Sequence, residues 1–175
     1  MTEAQLSNAM DAYGSTVYRL ALTRMQNIAD AEDVYQEVFL RLWKQAAEDW
    51  DGDRAKAWLI RTTLNRCADL HRFRLRRPVL SFAEIPDLAQ PEDESRELWE
   101  AVSRLPEKAR TVVHLYYAEG YSAEEISQLM HIPAATVRTR LHRARKQLKE
   151  LLGGIDDETC VSRSDGTNFG PQRAE

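Results

Sequence analysis

Two runs of basic residues are the part of this sequence whose types and spacing could do chemistry. Residues 54–77 contain eight Lys and Arg and a single acid, Asp69, whereas residues 136–149 contain six Lys and Arg and no acid. Guanidinium and ammonium groups at such density bind phosphate oxygens, and arginine also forms paired hydrogen bonds with guanine. The two runs together predict nucleic-acid binding, although a solvated helix face is an equally simple interpretation of either run alone.

The position of the charges supports this prediction better than their sum does. The net charge of the 175 residues is −4, which taken alone argues against a polyanionic partner. The acids, however, are concentrated in residues 79–100, which carry seven acids and one Arg, and in residues 153–175, which carry five acids and two Arg. Pro78, Pro86 and Pro91 accompany the first of these acidic segments, which is typical of a linker.

Apolar runs, cysteines and histidines restrict the class of protein further. The longest apolar run is four residues, so neither a membrane span of about 20 nor a signal peptide core of about 7 to 15 is predicted. Two cysteines, Cys67 and Cys160, cannot form a disulfide framework, which favours a cytoplasmic location. His71 follows Cys67 by four residues, but two ligands do not make a zinc site. The sequence has no glycine-rich phosphate loop, nucleophile elbow or metal-ligand cluster, so no enzyme, cofactor or metal is predicted.

The elements that must position the basic residues are helices. Apolar periodicity predicts a first helix over about residues 3–25 and a second over about 30–47 with Asp30 as its N-cap. Residues 49–53, with Gly52 and three acids, are predicted to form a loop. A third helix over about residues 55–74 places its apolar residues on one side and hydrogen-bonding residues on the other, namely Arg61, Asn65, Asp69 and Arg72. Trp43 and Trp58 follow the helical period and are predicted to pack in the core.

The last third of the chain has the pattern of a helix-turn-helix. Pro106 opens a helix predicted to reach about Ala118, and Ser122-Ala-Glu-Glu125 is a capping box that accounts for the paired acids Glu124 and Glu125. That short helix stops near His131, and Pro133 begins a longer basic helix with apolar residues spaced four, three and four. A capped short helix, a tight turn and a longer basic helix indicate a recognition helix for the major groove of DNA.

Five segments in this order resemble the extracytoplasmic-function (ECF) group of bacterial sigma-70 factors. The first two resemble region 2 of that family and the other three resemble its region 4. The segments are residues 30–43 (DAEDVYQEVFLRLW), 58–65 (WLIRTTLN), 105–110 (LPEKAR), 120–126 (GYSAEEI) and 135–145 (ATVRTRLHRAR).

The resemblance covers about residues 10–152 and implies a dissociable subunit of RNA polymerase with two small helical domains in an all-α chain. It implies a region 2 domain over residues 1–77, an acidic flexible linker over 78–96 and a region 4 domain over 97–152. Residues 153–175 are predicted to be a disordered tail. The partners implied are core RNA polymerase, promoter DNA and an anti-sigma factor.

The resemblance also implies roles for particular residues. In the family, the second helix binds the clamp helices of the largest polymerase subunit, and the matching residues are Asp33, Gln36, Glu37 and Arg41. The loop and helix that follow hold the melted minus-ten element, and the matching residues are Trp50, Arg54, Arg61, Asn65 and Arg72. The recognition helix reads the minus-thirty-five element, and the matching residues are Arg138, Thr139, His142 and Arg143.

A different class of protein remains as an alternative. A helix-turn-helix regulator with an N-terminal sensing or dimerisation domain would share residues 105–152. Such a regulator would need neither the acidic surface of Asp33, Gln36 and Glu37 nor the basic run at residues 54–77.

Overall fold

The computed structural model of this chain describes residues 1–45, 52–76 and 93–152. These residues form seven α-helices and no strand, which confirms the all-α prediction. A π-helical turn, His114–Ala118, continues α5. The helices are α1 (Glu3–Met25), α2 (Ile28–Lys44), α3 (Gly52–Arg76), α4 (Asp93–Ser103), α5 (Glu107–Val113), α6 (Ala123–Met130) and α7 (Ala134–Leu151).

The bounds of α2 and α3 correct three predictions. Asn27, and not Asp30, is the N-cap of α2, since its side chain accepts a hydrogen bond of 3.0 Å from the Asp30 amide. The reason is that α1 ends at Met25 with a left-handed C-cap, Gln26 (φ 51°), so that only Gln26 and Asn27 lie between the two helices. α2 ends at Lys44, short of the predicted Ala47, and α3 begins at Gly52, so the end of the predicted loop is helical.

The first three helices pack around an apolar core and together form the N-terminal unit, residues 1–76. α1 packs on α2, and both pack on α3, with Val17, Val38 and Leu59 among the residues that are almost completely buried. Thr2 and Gln5 form a reciprocal capping box at the start of α1. This core holds α2 and α3 side by side, so the outward sides of the two helices are fixed relative to one another.

The helices of residues 93–152 form the C-terminal unit. Ser122 and Glu125 make the predicted capping box, since the Glu125 amide donates to Ser122 Oγ at 3.2 Å and the Ser122 amide donates to Glu125 Oε2 at 2.8 Å. Gly120 has a φ of +75°, which favours glycine at this turn. His131 ends α6 in the left-handed conformation, and α7 then packs on α5 and α6. The predicted helix-turn-helix is present.

One apolar core continues across the two units. Leu20 of α1 and Ile60 and Leu64 of α3 are buried in the same cluster as Leu115 and Ile126 of the C-terminal unit. We call this contact between the units the seam. The resemblance gave two domains and a linker but no contact between them, so the seam is a finding of the structure. None of the helices within the described residues is long and apolar enough to cross a membrane.

Candidate nucleic-acid and protein interfaces

The outward side of α2 carries the residues predicted to bind the polymerase. Asp33 and Gln36 are exposed, and Glu37 and Arg41 are half-buried and joined by an ion pair of 2.9 Å. Leu40 and Trp43 lie on the same side with 47% and 42% of their surface exposed, so the prediction that Trp43 packs in the core is wrong. We call this surface, with acids beside uncovered apolar groups, the α2 face. Its composition suits a protein partner better than a nucleic acid.

The outward side of α3 carries the predicted minus-ten residues in one row, which we call the α3 face. Arg54, Arg61, Asn65 and Arg72 are separated by seven, four and seven residues, close to whole helical turns, and all four are exposed. Arg72 Nη2 is paired with Asp69 Oδ1 at 2.8 Å on the same helix. Trp50, the remaining predicted residue, lies outside the described residues. A row of arginines and an amide along about 27 Å of helix can follow a phosphate backbone.

A cleft of about 450 Å³ joins the α2 and α3 faces. It is lined by Arg41, Lys44 and Gln45 of α2 and by Trp58, Thr62 and Asn65 of α3. The cleft therefore brings Arg41, a predicted polymerase contact, next to Asn65, a predicted DNA contact. Cations, amides and an indole in one open cleft are the groups that bind the phosphate and the flat face of an unstacked nucleotide.

The outward side of α7 carries the predicted minus-thirty-five residues. Val137, Leu141 and Ala144 are buried against the unit, whereas Arg138, Thr139, His142 and Arg143 are exposed. We call these four exposed residues the α7 face. Thr139 Oγ1 donates to its own helix at Ala135 O, 2.8 Å away, and the Arg138 guanidinium is paired with the Glu124 carboxylate of α6. Capping therefore explains Glu125 but not Glu124.

Arg145 is seven residues after Arg138, so it lies beside the α7 face, and its side chain binds the helix to its own unit. Its Nε donates to Tyr117 Oη at 2.7 Å, and its guanidinium lies 5.7 and 5.8 Å from the ring centres of Tyr116 and Tyr117. An arginine over tyrosine rings gains cation–π stabilisation. This contact adds to the burial of Val137, Leu141 and Ala144, which decides which residues of α7 face outward.

A buried arginine binds the two units together at the seam. Arg110 of α5 is 6% exposed, and its guanidinium donates to Thr23 O and Arg24 O at the end of α1 and to Ser103 O and Leu105 O in its own unit. Burial lowers the pKa of Arg110, which the nearby Glu107 opposes. No sequence pattern predicts this role, because every residue has a backbone carbonyl and such acceptors carry no residue-type signal.

A second polar cluster at the seam surrounds Glu119, whose side chain is 3% exposed. Its Oε2 accepts from Thr16 Oγ1 and Lys56 Nζ, each at 3.1 Å, so residues of α1 and α3 both contact it. His114 lies 3.8 Å from Glu119 Oε1, and burial lowers the pKa of His114 to about 4, against the attraction of Glu119. His114 is therefore neutral near pH 7, and its contact with Glu119 is not an ion pair there.

The seam covers neither the α3 face nor the α7 face. α3 contributes Ile60 and Leu64 to the seam, whereas Arg61 and Asn65, each one residue later, point about 100° away around the helix and are exposed. In the C-terminal unit the seam uses α5, the π-helical turn and α6, while the α7 face stays exposed. The two basic surfaces are therefore accessible while the units are packed together.

Of the cysteine and histidine considered as possible ligands, Cys67 is buried and His71 is half-buried. Cys67 is 0% exposed, and burial raises the pKa of its thiol to about 12. His71 Nε2 lies 3.8 Å from Glu107 of the C-terminal unit. Across residues 1–45, 52–76 and 93–152, no three His, Cys, Asp or Glu are grouped so that they could hold a metal ion.

Two family models match the chain on either side of the acidic segment. Residues 9–77 match Sigma-70 region 2, and residues 95–148 match Sigma-70, region 4. The ECF RNA polymerase sigma factor SigE of Mycolicibacterium smegmatis is 34% identical over 161 residues, which cover 86% of this chain and 62% of SigE. The ECF RNA polymerase sigma factor SigW of Bacillus subtilis is 30% identical over 167 residues, which cover 83% of this chain and 88% of SigW.

Two solved structures have the same fold. The sigma factor RpoE of Bartonella quintana, in complex with the anti-sigma factor NepR, has a TM-score of 0.71 at 23% identity. The aligned region covers 91% of this chain and 99% of the RpoE chain. CnrH, in complex with the cytosolic domain of CnrY, has a TM-score of 0.62 at 26% identity. The aligned region covers 89% of this chain and 92% of the CnrH chain. Because both sigma-70 regions match in order and the similar proteins SigE and SigW are ECF sigma factors, this chain belongs to the ECF group of bacterial sigma-70 factors.

Proposed function

We propose that this chain binds core RNA polymerase through the α2 face and directs it to promoters through the α3 and α7 faces. The observation that carries the proposal is that one folded chain exposes all three surfaces at once. The α3 face holds the minus-ten element and helps to keep it melted. The α7 face binds the minus-thirty-five element in the major groove. The chain acts in the cytoplasm as a specificity subunit and not as a catalyst.

The α2 face supports the polymerase contact. A surface that binds only DNA would not carry Asp33 and Glu37 beside uncovered Leu40 and Trp43. Acids repel phosphate groups, and apolar side chains gain no favourable contact with phosphate groups. Acidic residues around exposed apolar groups are the composition of a protein interface with a charged rim. A regulator with a sensing or dimerisation domain has no need of this surface, and the match to region 2 does not favour that alternative.

The α3 face and its cleft support a role in melting. An unpaired base leaves the duplex at a cost of a few kcal/mol, so the opened strand must be held by stacking and by phosphate contacts. Arg61 and Asn65 stand beside a cleft that contains the Trp58 indole. Trp50 lies outside the described residues, so its part in this role stays a prediction.

The proposed function is tested with purified chain, core polymerase and promoter templates. The chain is expected to co-elute with core polymerase and to direct run-off transcription from a cognate promoter found by mapping start sites. Core polymerase without the chain should give no transcript from that start site. A correctly folded chain with neither activity would overturn the proposal.

Charge reversal separates the polymerase contact from the fold. Asp33→Lys should weaken co-elution about tenfold or more, because it places a cation where the proposed partner surface expects an acid. Glu97→Lys on α4 makes the same change of charge at an exposed position away from the α2 face. Equal effects of the two variants would show that net charge, and not the α2 face, governs binding.

An anti-sigma factor is a further proposed partner. The structures similar in fold include the sigma factor RpoE bound by the anti-sigma factor NepR, and CnrH bound by the cytosolic domain of CnrY. The exposed apolar groups of the α2 face are a surface that such a protein could cover, which would exclude the polymerase. Release of the chain from a purified anti-sigma factor by excess core polymerase would test that competition.

A further inference from the structure

Glu124 is an acid on the DNA-facing side of the helix-turn-helix that capping does not explain. It is the second residue of α6, after Ser122 and Ala123, and its carboxylate is paired with the Arg138 guanidinium of α7. Both side chains remain 60% exposed. An acid that close to the proposed DNA surface is unfavourable for phosphate binding, so its position needs a compensating role.

The backbone positions of this pair are fixed by buried neighbours. Ala123 and Ile126 anchor α6, and Val137 and Leu141 anchor the first half of α7 in the same apolar cluster. Among the four residues of the α7 face, Arg138 alone has an ion pair within the described part of the chain. A carboxylate on one helix thus holds an arginine on the next, although the two residues are 14 positions apart in sequence.

We propose that Glu124 is a positioning residue that orients Arg138 for the minus-thirty-five element, an inference that rests on the proposed function. Arginine has about 2 kcal/mol of rotamer entropy, part of which is lost when it binds. A guanidinium has five N–H donors in a fixed plane, so those that Glu124 does not use stay available to the promoter. Glu124 reduces the ordering that Arg138 undergoes on binding and fixes the plane in which it meets the groove.

If Glu124 only repelled DNA, its removal would change promoter binding in the opposite direction. If Glu124 acts only as a negative charge near DNA, its removal should strengthen promoter binding, and by the same factor whether or not Arg138 is present. If Glu124 positions Arg138, its removal should weaken binding only when Arg138 is present. A double-mutant cycle of Glu124→Ala and Arg138→Ala distinguishes these two effects.

The experiment measures holoenzyme binding to, and run-off transcription from, the cognate promoter for the parent chain, both single variants and the double variant. Glu124→Ala is expected to reduce promoter binding about three- to tenfold, and to have no further effect in the Arg138→Ala background. Glu150→Ala is the matched control, because it removes an acid from α7 about 18 Å further along the helix. Binding to templates substituted at each minus-thirty-five base pair shows whether the loss falls on one base pair or on all.

The outcomes separate this inference from the function on which it rests. If the parent chain neither binds core polymerase nor directs transcription, the proposed function fails and the inference fails with it. If the parent chain is active and Glu124→Ala strengthens binding equally in both backgrounds, the positioning role alone is wrong. Additive losses in the two single variants would also overturn it, since they would mean that Glu124 acts without Arg138.

Discussion

The α3 and α7 faces both present exposed arginines, but they hold them in different ways. Arg72 of the α3 face is paired with Asp69, three residues earlier on the same helix. Arg138 of the α7 face is paired with Glu124 on a different helix. A pair on one helix forms wherever that helix forms, whereas a pair between helices depends on the angle of the helix-turn-helix. The α7 face is therefore set by tertiary packing, and the α3 face is largely set by helical periodicity.

The two faces also depend on each other through the seam. The buried sides of α3 and of the C-terminal unit share one apolar cluster, and Arg110 and Glu119 add polar contacts across it. Four predictions test how far the faces differ and how far the seam unites them.

The largest effect is expected from Arg110→Met, which removes the guanidinium that donates to carbonyls of both units. The variant should lower the free energy of unfolding by about 3 kcal/mol, because buried carbonyls at the end of α1 and near Leu105 lose their donors. Chemical denaturation, followed both by tryptophan fluorescence and by helical circular dichroism, measures this loss.

Arg104→Met is the control, since Arg104 is exposed and a surface substitution there should change stability by less than about 0.5 kcal/mol. In the parent chain the two signals should give one coincident transition. Two separate transitions, or a small effect of Arg110→Met, would show that the two units and their faces are independent.

The second prediction concerns pH and His114, which is buried at the seam beside Thr23 and Glu119. Burial lowers the pKa of His114 from 6.5 to about 4, Glu119 opposes this shift, and Arg19 adds to it. Because the folded pKa is the lower one, the unfolded chain binds the proton first, so stability is complete above about pH 6.5 and falls as the pH drops toward 4. The contribution lost by pH 5 is about 2 kcal/mol.

Unfolding curves at pH 7 and pH 5 measure this loss in the parent chain and in His114→Gln, which does not titrate. The difference between the two pH values should be about 2 kcal/mol smaller in His114→Gln. His131→Gln, at the exposed end of α6, should behave like the parent chain. The same pH dependence in all three proteins would mean that His114 is not the group responsible.

The third prediction compares one arginine of the α3 face with one of the α7 face. Arg143→Ala should reduce transcription from the cognate promoter about tenfold, and its effect should disappear on templates that lack a minus-thirty-five element. Arg61→Ala should instead reduce promoter opening, measured by permanganate reactivity of unpaired thymines, with duplex binding less affected. Both variants should keep full binding to core polymerase. If the two variants have the same defects, the division of roles between α3 and α7 is wrong.

The smallest effect is expected from Asp69→Asn, which removes the acid paired with Arg72 on α3. Exposed pairs within a helix contribute about 0.3–0.5 kcal/mol, so stability should hardly change. Minus-ten binding should be unchanged or slightly stronger, because one repulsive charge near phosphate is lost. Holoenzyme binding to a fork-junction template measures this effect. A loss as large as that expected from Glu124→Ala would remove the distinction between the two faces.

Local patterns predicted much of the fold. The capping box at Ser122 and Glu125 and the burial of Ile60 and Leu64 depend on spacings of three or four residues, which helical geometry fixes. A wrong prediction, the N-cap of α2, also came from a local pattern. Asp30 has the residue type of an N-cap, but the left-handed Gln26 ends α1 so close to it that Asn27 takes that position, and Asp30 pairs with Arg74 instead.

The sequence alone determined the helices, the α3 row and the order of the two sigma-70 regions, because these follow from periodicity and from short contiguous motifs. Only the tertiary structure decided that Glu124 meets Arg138, that Arg110 binds the end of α1 and that Glu119 lies against both α1 and α3. The partners in these contacts are separated by between 14 and 103 positions. Over such separations no local period relates the residues, and the packing of the apolar core decides which of them meet.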